Sequence, residues 1–250
     1  MNKKEILMYR GLILFLCLAI FGLAWSLADC YRNHNQKNEA ANSSVATEAC
    51  ATFEVVKSTS QIVALPPHSE IGGVALIQAL DKRMTVRSYS SEDLSDQQIS
   101  DLLWSAVGVN REDGKRTSPT ARNAQEINLY LFTKSAIYRY DAEENSLKLV
   151  KIGDFRAKTG RQPFFANASV AIAIVADFDA MDAKDFDAAG KEFYSATDGG
   201  YVSQNIYLYC AAADLATVAC GNIERDSIVE LLELPNAKAI LSHPVGYAQN

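Results

Sequence analysis

Apolar side chains recur with helical spacing over residues 95–110. Ser95 and Gln98 have the spacing of a capping box, and Gly108 is a typical helix stop. Between them, the apolar positions that would share one face are Ile99, Leu102, Leu103, Ala106 and Val107. The pattern therefore predicts an amphipathic helix that begins after Ser95 and ends at Gly108.

Strand spacing dominates the middle of the chain. Residues 126–133 and 135–152 alternate between apolar and polar positions, and the polar sequence DAEENS interrupts the second stretch as a hairpin turn would. Residues 169–178 form a continuous run of small and β-branched apolar side chains. Such a run is typical of a central strand that is covered on both faces.

Shorter patterns complete the predicted domain. Helices are predicted over residues 72–83, 199–216 and 226–234, the last with Asp226 as its cap, and strands over 217–223 and 237–247. Helices and strands therefore interleave around one sheet. The predicted fold class is α+β, with a central mixed β-sheet flanked by helices.

The N-terminal part has a different pattern. Residues 11–28 contain no charged side chain, and Lys3, Lys4 and Arg10 precede them. This arrangement predicts a signal peptide or membrane anchor over residues 1–30. Its positive charges favour a domain that faces away from the cytoplasm, exported or held in the periplasm or cell envelope if the source is bacterial. An anchor with the domain facing inward is the alternative.

Three fates of this N-terminal segment stay open, and a linker follows it. The segment is cleaved after Ala28, retained as an anchor, or processed at Cys30 as a lipoprotein. Residues 31–57 are rich in polar side chains without any period, which indicates a solvated linker. The folded domain is therefore expected over residues 58–250.

Composition excludes two classes of function. The chain has 24 basic and 30 acidic residues, a net charge of -6, so it lacks the positive field that nucleic-acid binding requires. Its five cysteines form no CxxC pair, and its three histidines are scattered, so no metal site is predicted. A disulfide between Cys30 and Cys50 is an open alternative for the N-terminal part.

Two polar stretches have chemistry that the core does not require. In KRMTVRSY, residues 82–89, an extended backbone would place Arg83, Thr85 and Arg87 on one side. Two guanidinium groups with a hydroxyl between them suit a phosphate or the polar edge of a heterocycle. The alternative is a solvated cluster of cations at a helix C-terminus. The second stretch, GKRTSPTARNAQ over residues 114–125, lies between two apolar elements.

Five segments together resemble the flavin-dependent nitroreductase family, in particular its SagB-like, thiazole-oxidase-like branch. KRMTVRSY is similar to the family's R-R-S-x-R segment, and PTARNAQ, residues 119–125, to its P-S-x-x-N-x-Q segment. Further similarity covers residues 160–178, 199–221 and 232–247, the last ending in P-x-G-Y. Met84 and Thr85 depart from the family pattern, although Thr85 retains the hydroxyl of the serine that it replaces.

The resemblance implies noncovalent FMN at the interface of a homodimer. The first segment would contact the phosphate, ribityl chain and pyrimidine edge through Arg83, Thr85 and Arg87. The second would reach the flavin of the partner subunit through Thr120, Ala121 and Asn123. Gln162 would meet the ring edge, and the backbone around Cys220 and Gly221 would approach N5. No catalytic residue is assigned, because FMN carries the redox chemistry.

The function implied is that of an FMN-dependent oxidoreductase. Two electrons would pass from NAD(P)H to a small organic acceptor such as a nitroaromatic or a quinone. Dehydrogenation of an azoline-like substrate is one alternative. The other is a membrane-associated flavin-binding protein without catalytic turnover.

Overall fold

The computed structural model describes residues 55–70 and 73–249. The helices are α1 (Leu76–Lys82), α2 (Asp96–Val107), α3 (Ala188–Ala212) and α4 (Arg225–Leu231). The strands are β1 (Ile62–Ala64), β2 (Ile127–Phe132), β3 (Ala136–Asp141), β4 (Ser146–Ile152), β5 (Val170–Asp177), β6 (Ala216–Thr217) and β7 (Ala237–Gly246). The α+β class and the interleaved order of elements are confirmed.

The described strands form one sheet in the order β1-β4-β3-β2-β5-β7-β6. Every pairing between them is antiparallel. The predicted mixed sheet would contain parallel pairs as well, and the described strands contain none. The turn between β3 and β4 is the predicted hairpin at DAEENS.

Strand β5 lies inside the sheet, between β2 and β7, and its side chains up to Ala176 are buried on both faces. Ile172 and Ile174 face the larger core cluster, which also contains side chains of α2 and α3. Ala173 and Val175 face a second cluster, to which α4 contributes Ile228. The prediction of a doubly covered strand is confirmed, and the sheet is packed between helices on its two faces.

Helix α2 has the predicted ends. The Ser95 hydroxyl accepts a hydrogen bond from the Gln98 amide at 3.2 Å, and the Gln98 side chain accepts one from the Ser95 amide at 2.9 Å. Gly108 ends the helix with φ at -64°, so it is not needed for a left-handed backbone. A Cβ there would lie 2.2 Å from the Trp104 ring, and lack of space explains the glycine.

Helix α3 begins at Ala188, well before the predicted start near residue 199. Asp187 caps it by accepting a hydrogen bond from the Gly190 amide at 2.7 Å. The pair Gly199 and Gly200 lies inside the helix, although a glycine pair was expected to begin it. A Cβ on Gly199 would approach the Ile240 side chain to 2.8 Å, so this glycine permits close packing of α3 on β7.

Two further predictions at the C-terminal side were wrong in detail. Helix α4 has Glu224 at its N-cap position without a side-chain cap, and Asp226 lies in the first turn, where a carboxylate favours the helix dipole. The strand predicted over 217–223 is reduced to β6, because the chain then leaves the ladder and rejoins β7 only through a bridge between Cys220 and Ser242.

The described residues do not include the predicted signal or anchor, most of the predicted linker, or Cys30 and Cys50. Among the described residues, no helix has the length and apolar character needed to cross a membrane. The core already includes Val55 and Val56, just before the expected domain start at residue 58.

Candidate functional site

The segment over residues 83–88 follows α1 without helix or strand assignment. The amide of Val86 donates to the carbonyl of Thr217 at 3.0 Å, which joins this segment to the end of β6. Arg83 and Thr85 both contact the Tyr207 side chain, so two of the three residues predicted to share one side do so. Arg87 is exposed.

Tyr207 on α3 is the residue that these contacts share. Its hydroxyl lies 3.0 Å from the Thr85 hydroxyl and accepts a hydrogen bond from the Ala219 amide at 2.9 Å. The guanidinium carbon of Arg83 lies 5.2 Å from the centre of its ring, within the range of a cation–π interaction. Nothing in the local sequence pattern around Tyr207 indicates these contacts.

Residues 219–221 form the second part of the candidate site. The amide and carbonyl of Cys220 both pair with Ser242, at 2.8 and 3.0 Å. The Gly221 carbonyl accepts from Arg225 at 3.1 Å. The Gly221 amide has no acceptor among the described residues and is therefore available to a ligand.

The thiol of Cys220 is buried. Burial raises the pKa of this thiol, and the positive charge of Arg87 opposes the shift. A thiol with a raised pKa is a poor nucleophile. That the backbone around Cys220 approaches N5 stays a prediction.

Gln162 precedes a short 3-10 turn, Pro163–Ala166. Its side-chain oxygen is buried and has no hydrogen-bond partner among the described residues. The neighbouring Arg161 forms an ion pair with Glu224 at 2.7 Å. Phe164 packs toward Tyr89, with ring centres 6.3 Å apart. The turn next to Gln162 therefore contacts two parts of the protein, Glu224 after the segment 219–221 and Tyr89 after the arginine segment, residues 83–87.

The stretch over residues 114–125 lies away from Tyr207 and the arginine segment. The Ala121 amide donates to the Asp198 carboxylate at 2.8 Å, and the Thr120 hydroxyl accepts from the Gln125 amide at 3.1 Å. Asp198 precedes Tyr207 by nine residues on α3, which is roughly 13 Å along a helix. One chain therefore does not bring Thr120, Ala121 and Asn123 together with the arginines.

The backbone of this stretch is unusual. Arg122, Asn123 and Gln125 have φ values of 52°, 55° and 51°, in the left-handed region that few residues other than glycine adopt. Each such conformation is unfavourable and persists because surrounding contacts hold it. The exposed Asn123 is presented by a loop of defined shape.

A buried carboxyl pair at the base of this loop was not predicted. Glu126 is fully buried, and neither of its carboxyl oxygens has a hydrogen-bond partner among the described residues. Burial and the nearby Asp198 together raise the pKa of Glu126 to about 7, and Arg116 opposes the change. Its position at the start of a strand was visible in the sequence, but the approach of Asp198 from α3 was not.

The structure thus brings some predicted residues together and separates others. Arg83, Thr85 and the segment 219–221 meet around Tyr207. Within the described residues, no cluster of His, Cys, Asp and Glu has the arrangement of a metal site.

Residues 80–247 match the model of the nitroreductase family. A crystal structure of a nitroreductase from Ralstonia eutropha is similar at 30% identity, with 81% of this chain and 97% of that chain covered and a TM-score of 0.73. A protein of Methanocaldococcus jannaschii named as a nitroreductase is 28% identical over 187 residues, 71% of this chain and 93% of its own length.

Two more distant structures share the fold. One is a nitroreductase of Desulfovibrio desulfuricans in complex with FMN, 20% identical, covering 72% of this chain and 89% of that chain with a TM-score of 0.51. The other is the NADPH:FMN oxidoreductase of Vibrio harveyi in complex with NAD+, 18% identical, covering 70% of this chain and 69% of that chain with a TM-score of 0.53.

Proposed function

Because the chain belongs to the nitroreductase family, we propose that it is an FMN-dependent oxidoreductase whose cofactor lies against residues 83–87 and 219–221. The observation that carries this proposal is that the two arginines have no carboxylate partners among the described residues. Among the described residues, neither Arg83 nor Arg87 forms an ion pair with a carboxylate. Two cations without a carboxylate partner suit an anionic ligand.

The other side chains fit the same cofactor. FMN, when bound, supplies the two-electron redox chemistry. Arg83 and Thr85 offer donors to its phosphate and ribityl chain, and the unpartnered oxygen of Gln162 is an acceptor for the ring edge. The guanidinium of Arg87, placed at the pyrimidine edge, would favour the negative charge that accumulates there on reduction. The Gly221 amide is the donor left for N5.

We expect NAD(P)H to be the electron donor and a nitroaromatic or a quinone to be the acceptor. The Vibrio harveyi structure supports the choice of donor, since that enzyme uses NADPH by name and holds NAD+. No side chain need act as an acid or base. The protein positions the reactants next to the flavin and stabilises its charge, while the flavin supplies the redox chemistry.

Flavin binding is tested by titrating the purified full chain, freed of flavin, with FMN. Arg83→Ala and Arg87→Ala should each weaken binding about 10- to 100-fold, because each removes a charge-assisted interaction of about 1.5–3 kcal/mol. Arg139→Ala, on the exposed side of β3, is the matched control and should bind as the parent does. Unchanged affinity in both site variants would contradict the proposed placement.

Turnover is tested separately with the loaded protein. Anaerobic NADH or NADPH should bleach the flavin absorbance, and an added quinone or nitroaromatic should restore it. A bound flavin that neither nucleotide reduces would favour the non-catalytic alternative.

A homodimer is part of the proposal. Exposed apolar side chains support a homodimer. They lie on α1, just after α1, and on α3: Leu76, Ile77, Leu80, Met84, Phe193, Tyr194 and Tyr201. Ile77 is 74% exposed, and large exposed apolar patches mark interaction sites. Ile77→Glu should yield monomers by light scattering, whereas Ile152→Glu on β4 should not. A monomeric parent would refute this part.

Membrane attachment through residues 11–28 remains a proposal. It is supported by the uncharged sequence of that segment. In cell fractionation the full chain should sediment with membranes, and a chain that starts at residue 51 should not. Equal distribution of the two chains would contradict attachment.

A further inference from the structure

Tyr207 connects two segments that are far apart in the sequence. Its hydroxyl meets Thr85 at 3.0 Å and Ala219 at 2.9 Å, across separations of 122 and 12 residues. A phenol oxygen can accept a hydrogen bond from an amide and exchange a second one with a hydroxyl at the same time. One oxygen atom therefore ties the arginine segment to the chain that leads into Cys220 and Gly221.

Tyr207 is itself held in place by a buried histidine. The ring of His243 meets the Tyr207 ring edge-on, with centres 5.3 Å apart. Ser203 and Thr217 occupy the two nitrogens of this imidazole at 2.8 and 3.1 Å. Burial lowers the pKa of His243 to about 3, so the imidazole is neutral and adds no positive charge next to Arg83.

The Tyr207 ring has a second effect on Arg83. The guanidinium lies over the ring face at 5.2 Å, in the geometry of a cation–π contact. Because Arg83 has no carboxylate partner among the described residues, this contact is what restrains its head group. The ring therefore orients the guanidinium group of Arg83. A carboxylate counter-ion would also neutralise its charge, and the ring does not.

We propose that Tyr207 is a positioning residue that sets the distance between the arginine segment, residues 83–87, and the segment 219–221. The inference rests on the proposed function, because it assigns the two segments to one FMN. The ring restrains Arg83, and the hydroxyl holds Thr85 and the Ala219 amide. Loss of the hydroxyl leaves that amide without its partner and loosens both segments, which among the described residues are then joined by the backbone hydrogen bond from Val86 to Thr217 alone, while the ring contact is kept.

The test compares Tyr207→Phe with Tyr209→Phe in the full chain without FMN. Tyr209 lies on the same helix and packs on the core, and its hydroxyl makes no hydrogen bond among the described residues, so its variant controls for removal of a hydroxyl from α3. We expect Tyr207→Phe to raise the dissociation constant for FMN about 5- to 10-fold, as the loss of one or two hydrogen bonds would. Tyr209→Phe should change it less than twofold.

Hydrogen exchange on the FMN-free protein provides a second measurement. Tyr207→Phe should speed amide exchange in residues 83–89 and 217–222 together, and leave the amides of α2 and β5 unchanged. A merely structural role would lower protection across the whole domain instead. Tyr207→Leu, which also removes the ring, should weaken FMN binding further than Tyr207→Phe because Arg83 is then unrestrained.

The outcomes separate the inference from the proposed function. A parent protein that binds no FMN refutes the proposed function and the cofactor part of the inference, while the exchange data still decide whether Tyr207 couples the two segments. A parent that binds FMN, with Tyr207→Phe binding equally well, overturns the inference alone. So does faster exchange in only one of the segments.

Discussion

Replacing Glu126 with glutamine should stabilise the protein at neutral and alkaline pH. Glu126 is completely buried, and its carboxyl oxygens have no hydrogen-bond partner among the described residues. Two groups face it, Asp198 from α3, whose charge disfavours ionisation, and Arg116, whose charge favours it. Glutamine keeps the size of the side chain and cannot ionise.

The expected magnitude follows from the raised pKa. Burial, with Asp198, raises the pKa of Glu126 from 4.5 to about 7. Between these values the folded protein binds more protons than the unfolded chain, so stability falls as pH rises through this window. At about 1.4 kcal/mol for each pKa unit, ionisation of Glu126 destabilises the folded protein by roughly 3 kcal/mol at pH 8 and by nothing below about pH 4.5.

Urea denaturation at several pH values between 4.5 and 8 measures this effect. The free energy of unfolding of Glu126→Gln should exceed that of the parent by up to roughly 3 kcal/mol at pH 8, and the difference should vanish toward pH 4.5. Glu92→Gln, on an exposed side chain, should follow the parent throughout. A difference that stays constant with pH, or a variant less stable than the parent at pH 8, would refute the reasoning.

Two further predictions concern helix ends and helix packing. Ser95→Ala removes the acceptor for the Gln98 amide and should lower the free energy of unfolding by about 1 kcal/mol; no loss in urea denaturation would show that the cap is dispensable. Gly200→Ala meets open space and should stabilise α3 by about 0.5–1 kcal/mol. Gly199→Ala would approach Ile240 to 2.8 Å and should instead destabilise by about 1–3 kcal/mol. Equal thermal midpoints for the two glycine variants would contradict the packing argument.

Local signals predicted the elements that depend on neighbouring residues. The capping box of Ser95 and Gln98 involves side chains three positions apart, and the hairpin turn between β3 and β4 is equally local. The central strand β5 was predictable because a strand covered on both faces excludes water from every side chain. In each case the physical cause lies within the segment itself.

Predictions failed where a distant contact outweighed local preference. Glycine disfavours helix, so the pair Gly199 and Gly200 was expected to begin α3. The helix runs through them because Gly199 allows α3 to approach Ile240 on β7. Asp187, which caps the true start, lies in a stretch whose pattern shows no apolar period.

For the candidate site, sequence alone determined the residue types: two arginines with a hydroxyl between them, a loop rich in hydrogen-bonding groups, and the resemblance that relates both to a flavin. Tertiary structure decided their arrangement. It joined Thr85 to Ala219 through Tyr207, and it set Glu126 next to Asp198. These contacts depend on where α3 packs on the sheet. That packing depends on many small apolar contacts between residues that are distant in the sequence. The position of α3 therefore cannot be predicted from any single segment.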